Sequence, residues 1–131
     1  MSRQRVEVGF SSVRRCLGEV LVDHGLASFG DAYVNFVFSL AMSNRKREPM
    51  GTKVKGTLLA EALRRAGLRE CMPSRMSRHE LADAAEALIV YAWLNNFLSL
   101  SESVVLIGKY SDPVEGMSQL LVAAKERTTF P

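Results

Sequence analysis

Cysteine and histidine are scarce in this 131-residue chain, which contains two of each. None of the four stands in a zinc-ligand spacing such as Cys-x-x-Cys, so the sequence argues against a structural zinc site. Cys16 and Cys71 lie far apart along the chain. We expect both to be buried free thiols in a reducing compartment, and the sequence alone leaves a disulfide between them open.

Long apolar runs are absent as well. No stretch reaches the roughly 18 apolar residues of a membrane-spanning helix. The opening Met-Ser-Arg-Gln-Arg-Val-Glu lacks the apolar core of a signal peptide. There is no internal repeat, low-complexity segment or linker. We therefore expect a soluble, cytoplasmic protein in which residues 1–131 form a single domain.

The chain also has little excess charge of one sign, with a formal net charge of +3. That charge is unevenly distributed. Between Arg45 and Arg78, ten Lys and Arg residues accompany three Glu, a local net charge of +7. Such a segment is typical of a surface that binds a polyanion. A solvated helix surface explains the same charges equally well.

Apolar residues recur with a helical period over most of the chain, which predicts an all-α fold in the form of a helical bundle. The predicted helices cover about 12–23, 26 or 32 to 42, 52–66, 77–98 and 113–127. Residues 43–49 are predicted to be a polar, basic loop. The apolar segment 104–110 is compatible with a strand or with part of a helix.

Two acidic residues, Asp83 and Glu86, are the only charged residues between Leu81 and Leu94. The run predicts a buried helix. Residues three apart share a helix face, so two like charges are held together in apolar surroundings. Desolvation and repulsion both disfavour this arrangement. A bound cation would relieve both.

Asp31 is a further acidic candidate. Because it follows Gly30 and precedes an apolar run, it fits the N-cap of a helix. Alternatively, the helix begins earlier, and Ala27, Gly30 and Val34 form a stripe facing the helix of Asp83. Glycine inside a helix costs about 1 kcal/mol, and close approach of a neighbouring helix would explain it. Three carboxylates would then converge, and oxygen ligands favour Mg²⁺ or Mn²⁺.

Three segments carry a recognisable pattern, namely 26–32 (LASFGDA), 54–61 (VKGTLLAE) and 82–89 (ADAAEALI). In their sequence, order and spacing they resemble motifs of the ribonuclease III family. The resemblance covers about residues 13–98, and 99–131 would be a C-terminal helical extension of the same domain. It is strongest to the compact form without a double-stranded RNA-binding domain, as in the Mini-III type and small archaeal relatives.

The resemblance implies an all-helical, homodimeric endoribonuclease that cuts double-stranded or structured RNA with Mg²⁺, or with Mn²⁺ in its place. Asp31, Asp83 and Glu86 match family metal ligands and are the candidate catalytic residues. The family's first motif carries two Glu residues at the positions of His24 and Ala27, so one acidic ligand is missing here. The Mini-III type lacks them too.

The resemblance also bears on the dimer and on RNA binding. Ser28 replaces an aromatic residue that packs across the family's dimer interface, so the sequence leaves the geometry of the dimer open. RNA contact would fall to basic residues of the loop after the central helix and of the start of the next helix. These are Arg45, Lys46, Arg47, Lys53 and Lys55. Contacts from such residues to phosphates give affinity without sequence specificity.

Two other functions are compatible with the sequence. The missing ligand at Ala27 suggests a non-catalytic RNA-binding or ribosome-associated protein that retains the ribonuclease III fold. A simpler alternative is a helical dimerisation module in which Asp83 and Glu86 are merely exposed.

Overall fold

The computed structural model describes residues 7–131, and within them all regular secondary structure is helical, so the predicted all-α fold is confirmed. The six α-helices are α1 (Leu17–Leu21), α2 (His24–Lys46), α3 (Gly56–Arg65), α4 (Arg78–Leu94), α5 (Leu100–Gly108) and α6 (Pro113–Arg127). A short 3₁₀ helix spans Arg69–Cys71. Residues 1–6, most of the stretch that lacks a signal-peptide pattern, lie outside the described part. None of the helices described is long and apolar enough to cross a membrane.

Helix α4 is the centre of the bundle, with α1, α2, α3 and α6 packed against it. Eleven of its seventeen residues are buried, among them Glu86. The prediction of a buried helix is therefore confirmed. Because α4 is surrounded on most sides beyond its first turn, a polar side chain in its buried part must be satisfied by a neighbouring helix or by a ligand.

The start of α4 follows the predicted capping box. The Glu80 backbone N–H donates to Ser77 Oγ at 3.1 Å, and the Ser77 N–H donates to Glu80 Oε1 at 3.0 Å. These bonds satisfy two backbone donors that the helix leaves free. The helix ends at Leu94 rather than near 98, because Asn95 forms the C-cap and Asn96 takes a left-handed conformation with φ 63°.

Gly67 ends α3 through its positive φ of 75°. Its N–H donates to the Arg64 carbonyl at 3.0 Å, and the Leu68 N–H donates to the Leu63 carbonyl at 3.2 Å. This pair of bonds satisfies carbonyls at the helix end, and Leu68 is fully buried beside it. The helix itself starts at Gly56, four residues later than predicted, because residues 51–55 run in an extended conformation along α2.

Helix α1 is shorter than the sequence predicted, and the segment left open as strand or helix is helical. Helix α1 covers only five residues, because the chain before it crosses α4 and is held there by side chains. Arg14 N–H donates to the Tyr91 hydroxyl, and Ser12 bonds with Asn95. The ambiguous segment 104–110 lies largely in α5, which begins with a second capping box between Ser99 and Glu102.

The predicted loop at 43–49 is wrong in its first part, because α2 continues to Lys46. Arg45 and Lys46 therefore lie in its last turn rather than in a loop, and basic residues there complement the helix dipole. Arg47 forms the C-cap in a left-handed conformation with φ 59°.

The prediction of two buried thiols is also wrong. Cys16 and Cys71 are free, as expected, but both are exposed. Each lies at the margin of a short element, Cys16 as the N-cap of α1 and Cys71 at the end of the 3₁₀ helix. Val20 and Leu21 of α1 and Met72 after the 3₁₀ helix belong to the core, so it is these apolar residues and not the thiols that the two segments bury.

Candidate active site

Helices α2 and α4 come into backbone contact at Gly30. A Cβ atom at this position would lie 2.2 Å from the Glu86 carbonyl oxygen and 2.5 Å from its carbonyl carbon. Only glycine allows this approach, which explains why it is tolerated inside a helix. The contact places the next residue, Asp31, beside Glu86. Of the two alternatives for Asp31, the mid-helix one is confirmed.

The N-cap of α2 is Asp23, whose carboxylate accepts a hydrogen bond from the Leu26 N–H at 2.9 Å. Arg14 pairs with the same carboxylate at 2.9 Å. Asp31 is thus free of a capping role, and it lies two turns into the helix on an exposed part of its surface.

A pocket of about 360 Å³ opens where α2, α4 and the start of α3 meet. It brings together all three acidic residues that the sequence singled out. Its lining consists of His24, Ala27, Ser28, Asp31, Val54, Gly56, Leu59, His79, Ala82, Asp83 and Glu86. No Lys or Arg occurs among these lining residues. The only side chains there that can carry positive charge are the two imidazoles.

Glu86 is the deepest of the three acids, with 7 % of its surface exposed. Burial, contact with Asp31 and the charges of Asp31 and Asp83 raise the pKa of Glu86 to about 8. The carboxyl group therefore holds a proton at neutral pH because no cation faces it. A bound divalent ion would replace that proton and remove the repulsion.

The other two carboxylates are each held by a neighbour one helical turn away. Asn35 donates to Asp31 Oδ1 at 3.1 Å, and His79 Nε2 lies 3.5 Å from Asp83 Oδ2. Across residues 7–131, no three His, Cys, Asp or Glu side chains stand in a finished metal-binding arrangement. The donor set nevertheless fits a hard cation in chemistry, since it consists of carboxylate oxygens. Enclosing an ion would require side-chain rotation, chiefly of Asp31 and Asp83, which are both more exposed than Glu86.

Ala27 and His24 occupy the two positions at which the motif that the sequence resembles carries Glu residues. Both line the pocket, and Ala27 is buried. No carboxylate enters the pocket from this side. His24 is the first residue of α2 and is exposed, so its imidazole is at the rim.

The five basic candidates are distributed over two places. The Arg45 side chain connects α2 to the end of α5, because its Nη2 donates to the Gly108 and Tyr110 carbonyls at 3.1 and 2.7 Å. Lys46 and Arg47 are exposed at the end of α2. Lys53 and Lys55 are exposed on the extended segment that runs towards the acidic pocket.

Sequence reasoning missed Asn35, which contacts both Asp31 and the extended segment. A signal for it existed. Asn35 is a polar residue in an otherwise apolar stretch of α2, four positions after Asp31, and residues at that spacing are neighbours on a helix.

A family model described as Ribonuclease III matches residues 24–121 of the chain. The matched region begins at the first residue of α2 and includes all three acidic residues of the pocket. No curated protein gives a significant match to the chain.

Proposed function

The chain belongs to the ribonuclease III family, and we propose that it is a divalent-metal-dependent endoribonuclease that hydrolyses double-stranded or structured RNA. Family membership supports a ribonuclease-type activity. The observation that carries the finer proposal is the meeting of Asp31, Asp83 and Glu86 in one pocket without a basic partner. Such a cluster is unfavourable unless it receives a cation.

In this proposal, Asp31, Asp83 and Glu86 hold Mg²⁺, with Mn²⁺ as an alternative. The ion, when bound, supplies an activated water and a counter-charge for the phosphate in the transition state. Glu86 gives up its proton as the ion binds, and its burial limits the water that reaches this side of the pocket. Asp83 is partly exposed and can turn towards the ion from the solvent side.

The RNA backbone would be bound by the exposed Lys53 and Lys55, with Lys46 and Arg47 further along. Lys53 and Lys55 alternate along the chain with Val54 and Gly56, which line the pocket. A-form RNA is recognised chiefly by shape and backbone contacts, so we expect weak sequence preference and strong salt dependence.

We also propose that the active form is a homodimer. Phe29 and Phe36 lie two turns apart on α2 and keep 40 % and 54 % of their surface exposed. Large exposed aromatic residues on one helix face are typical of a surface that a partner covers. A second copy of the chain is the partner that family membership supports.

Incubation of the purified protein with long duplex RNA tests the proposed activity. Cleavage in Mg²⁺ or Mn²⁺ should disappear with EDTA and in Asp83→Asn and Glu86→Gln, which remove charge without changing shape. Glu126→Ala, which removes an exposed carboxylate at the end of α6, should leave cleavage intact. Cleavage that persists in both pocket variants would contradict the proposal.

A second candidate is a non-catalytic RNA-binding protein, which the apolar Ala27 in the pocket favours. It predicts that duplex RNA is bound but not cut, and that Mg²⁺ does not raise thermal stability. Both functions can be told apart in the same experiment, because binding and cleavage are read separately.

A further inference from the structure

A row of polar side chains on α2 holds the extended segment before α3. Ser43 Oγ donates to the Met50 carbonyl at 3.0 Å and accepts from the Met50 N–H at 2.9 Å. Ser39 Oγ makes the same two bonds with Thr52, both at 2.9 Å. The backbone of this segment is thus paired with side chains of a helix.

The spacing of the two elements explains this pairing. Four residues of an α-helix rise about 6 Å, and two residues of an extended chain rise about 6.6 Å. Side chains four apart on α2 therefore stay in register with alternate residues of the segment. The segment's other residues, Gly51, Lys53 and Lys55, are exposed, whereas Met50, Thr52 and Val54 are half-buried. The pairing fixes both lysines on the outer side.

Asn35 is the third member of this row, and it differs from the two serines. Its Oδ1 accepts a hydrogen bond from the Val54 N–H at 2.7 Å, while its Nδ2 donates to Asp31 Oδ1 at 3.1 Å. The amide orientation follows from its partners. A backbone N–H can only donate, so the oxygen must face Val54 and the NH₂ group must face the carboxylate.

We propose that Asn35 is a positioning residue that orients the Asp31 carboxylate and ties it to the segment bearing Lys53 and Lys55. This inference rests on the proposed function, because it assigns Asp31 to the metal and the lysines to RNA phosphates. The Asn35 amide then sets the distance between the Asp31 carboxylate, which would hold the ion, and the two lysines, which would hold the RNA backbone. Residues that hydrogen-bond a metal ligand fix its orientation.

The row offers a variant that separates the two bonds of Asn35. In Asn35→Ser, the hydroxyl occupies the same position relative to Val54 as the Ser39 hydroxyl occupies relative to Thr52. It can therefore keep the hydrogen bond to the Val54 N–H. It lacks the amide nitrogen that reaches Asp31. The matched control is Ser43→Ala, which removes two hydrogen bonds to the same segment but none to a carboxylate of the pocket.

Two measurements test the role of Asn35. Titration calorimetry gives the Mn²⁺ affinity of the RNA-free protein, and thermal unfolding in EDTA gives the stability of each variant without metal. We expect Asn35→Ser to weaken Mn²⁺ binding about 10-fold or more, the usual size of such effects, while its unfolding temperature stays near that of Ser43→Ala. Ser43→Ala should bind Mn²⁺ as the wild type does. In cleavage assays, Asn35→Ser should lower kcat with little change in KM.

Equal Mn²⁺ affinity in wild type and Asn35→Ser would overturn the positioning role while leaving the proposed function intact. Equal losses in Asn35→Ser and Ser43→Ala would overturn it as well, because the segment as a whole would then be responsible. A wild-type protein that binds no Mn²⁺ would overturn both the role of Asn35 and the metal-dependent function. Asn35→Ala, in which both bonds are lost, provides a second variant if Asn35→Ser unfolds.

Discussion

Gly30 of α2 lies directly against the backbone carbonyl of Glu86 in α4, so closely that a Cβ atom would come within 2.2 Å of that oxygen. This contact sets the distance between the two helices that carry the acidic residues. Asp31 and Glu86 face each other because nothing larger than hydrogen stands at position 30. The geometry of the pocket therefore depends on a residue that has no side chain.

Substitution of Gly30 by Ala should destabilise the fold and disrupt the pocket. The new methyl group meets backbone atoms, which cannot rotate away, so the helices must separate. Overpacking costs about 1–3 kcal/mol or more, and a clash with backbone atoms belongs at the upper end, so it exceeds the roughly 1 kcal/mol gain in helix propensity. Denaturant unfolding and Mn²⁺ titration would measure both effects.

Gly108→Ala is the control for that experiment. A Cβ at Gly108, the last residue of α5, has no atom within 4 Å. This variant should be as stable as the wild type or slightly more stable. If Gly30→Ala behaved in the same way, the close contact would not be required for the pocket.

The raised pKa of Glu86 predicts a particular dependence of stability on pH in the absence of metal. The unfolded carboxyl ionises near 4.5, whereas the folded one keeps its proton up to about 8. The native state binds the extra proton between these values, so the free energy of unfolding should fall as pH rises through this range. Each unit of pKa difference is worth about 1.4 kcal/mol, which makes the effect measurable.

Denaturant titrations from pH 5 to 9 in EDTA would detect this slope, and Glu86→Gln should remove it because a neutral amide does not titrate. In saturating Mn²⁺ the wild type should lose less stability with rising pH, because ions bind the deprotonated carboxylate. An unchanged slope in Glu86→Gln would show that another group is responsible.

Arg45 and Lys53 should respond differently to alanine substitution, although both belong to the basic segment. Arg45 donates to two carbonyls at the end of α5, so Arg45→Ala should lower stability by about 1 kcal/mol. Lys53→Ala should leave stability unchanged and weaken RNA binding, with a salt dependence reduced by about one unit of slope. Thermal unfolding and RNA titrations at several salt concentrations would separate the two. A larger loss of RNA affinity in Arg45→Ala than in Lys53→Ala would contradict this assignment.

Features set by local backbone bonds could be predicted from the sequence. Ser77 and Glu80 cap α4, Gly67 ends α3, and Pro113 begins α6 as expected. In each case the deciding contact lies within a few residues along the chain. The apolar run around Glu86 likewise predicted a buried helix, because its pattern leaves no polar face for solvent.

Features set by distant partners could not be predicted in the same way. Gly51, Thr52 and Val54 disfavour a helix before α3 only weakly, and the conformation of this segment depends on Ser39 and Ser43 in α2. The role of Arg45 depends on carbonyls of α5, far along the sequence. The meeting of Asp31 with Glu86 was predicted as one of two alternatives, and only the packing at Gly30 decides between them.

The most direct test of the central claim is anomalous X-ray scattering from crystals of the wild-type protein soaked in Mn²⁺. The account predicts a peak in the pocket within coordinating distance of carboxylate oxygens from Asp31, Asp83 and Glu86. It also predicts loss of that peak in Glu86→Gln. A peak elsewhere, or a pocket that stays free of Mn²⁺ at saturating concentration, would contradict it.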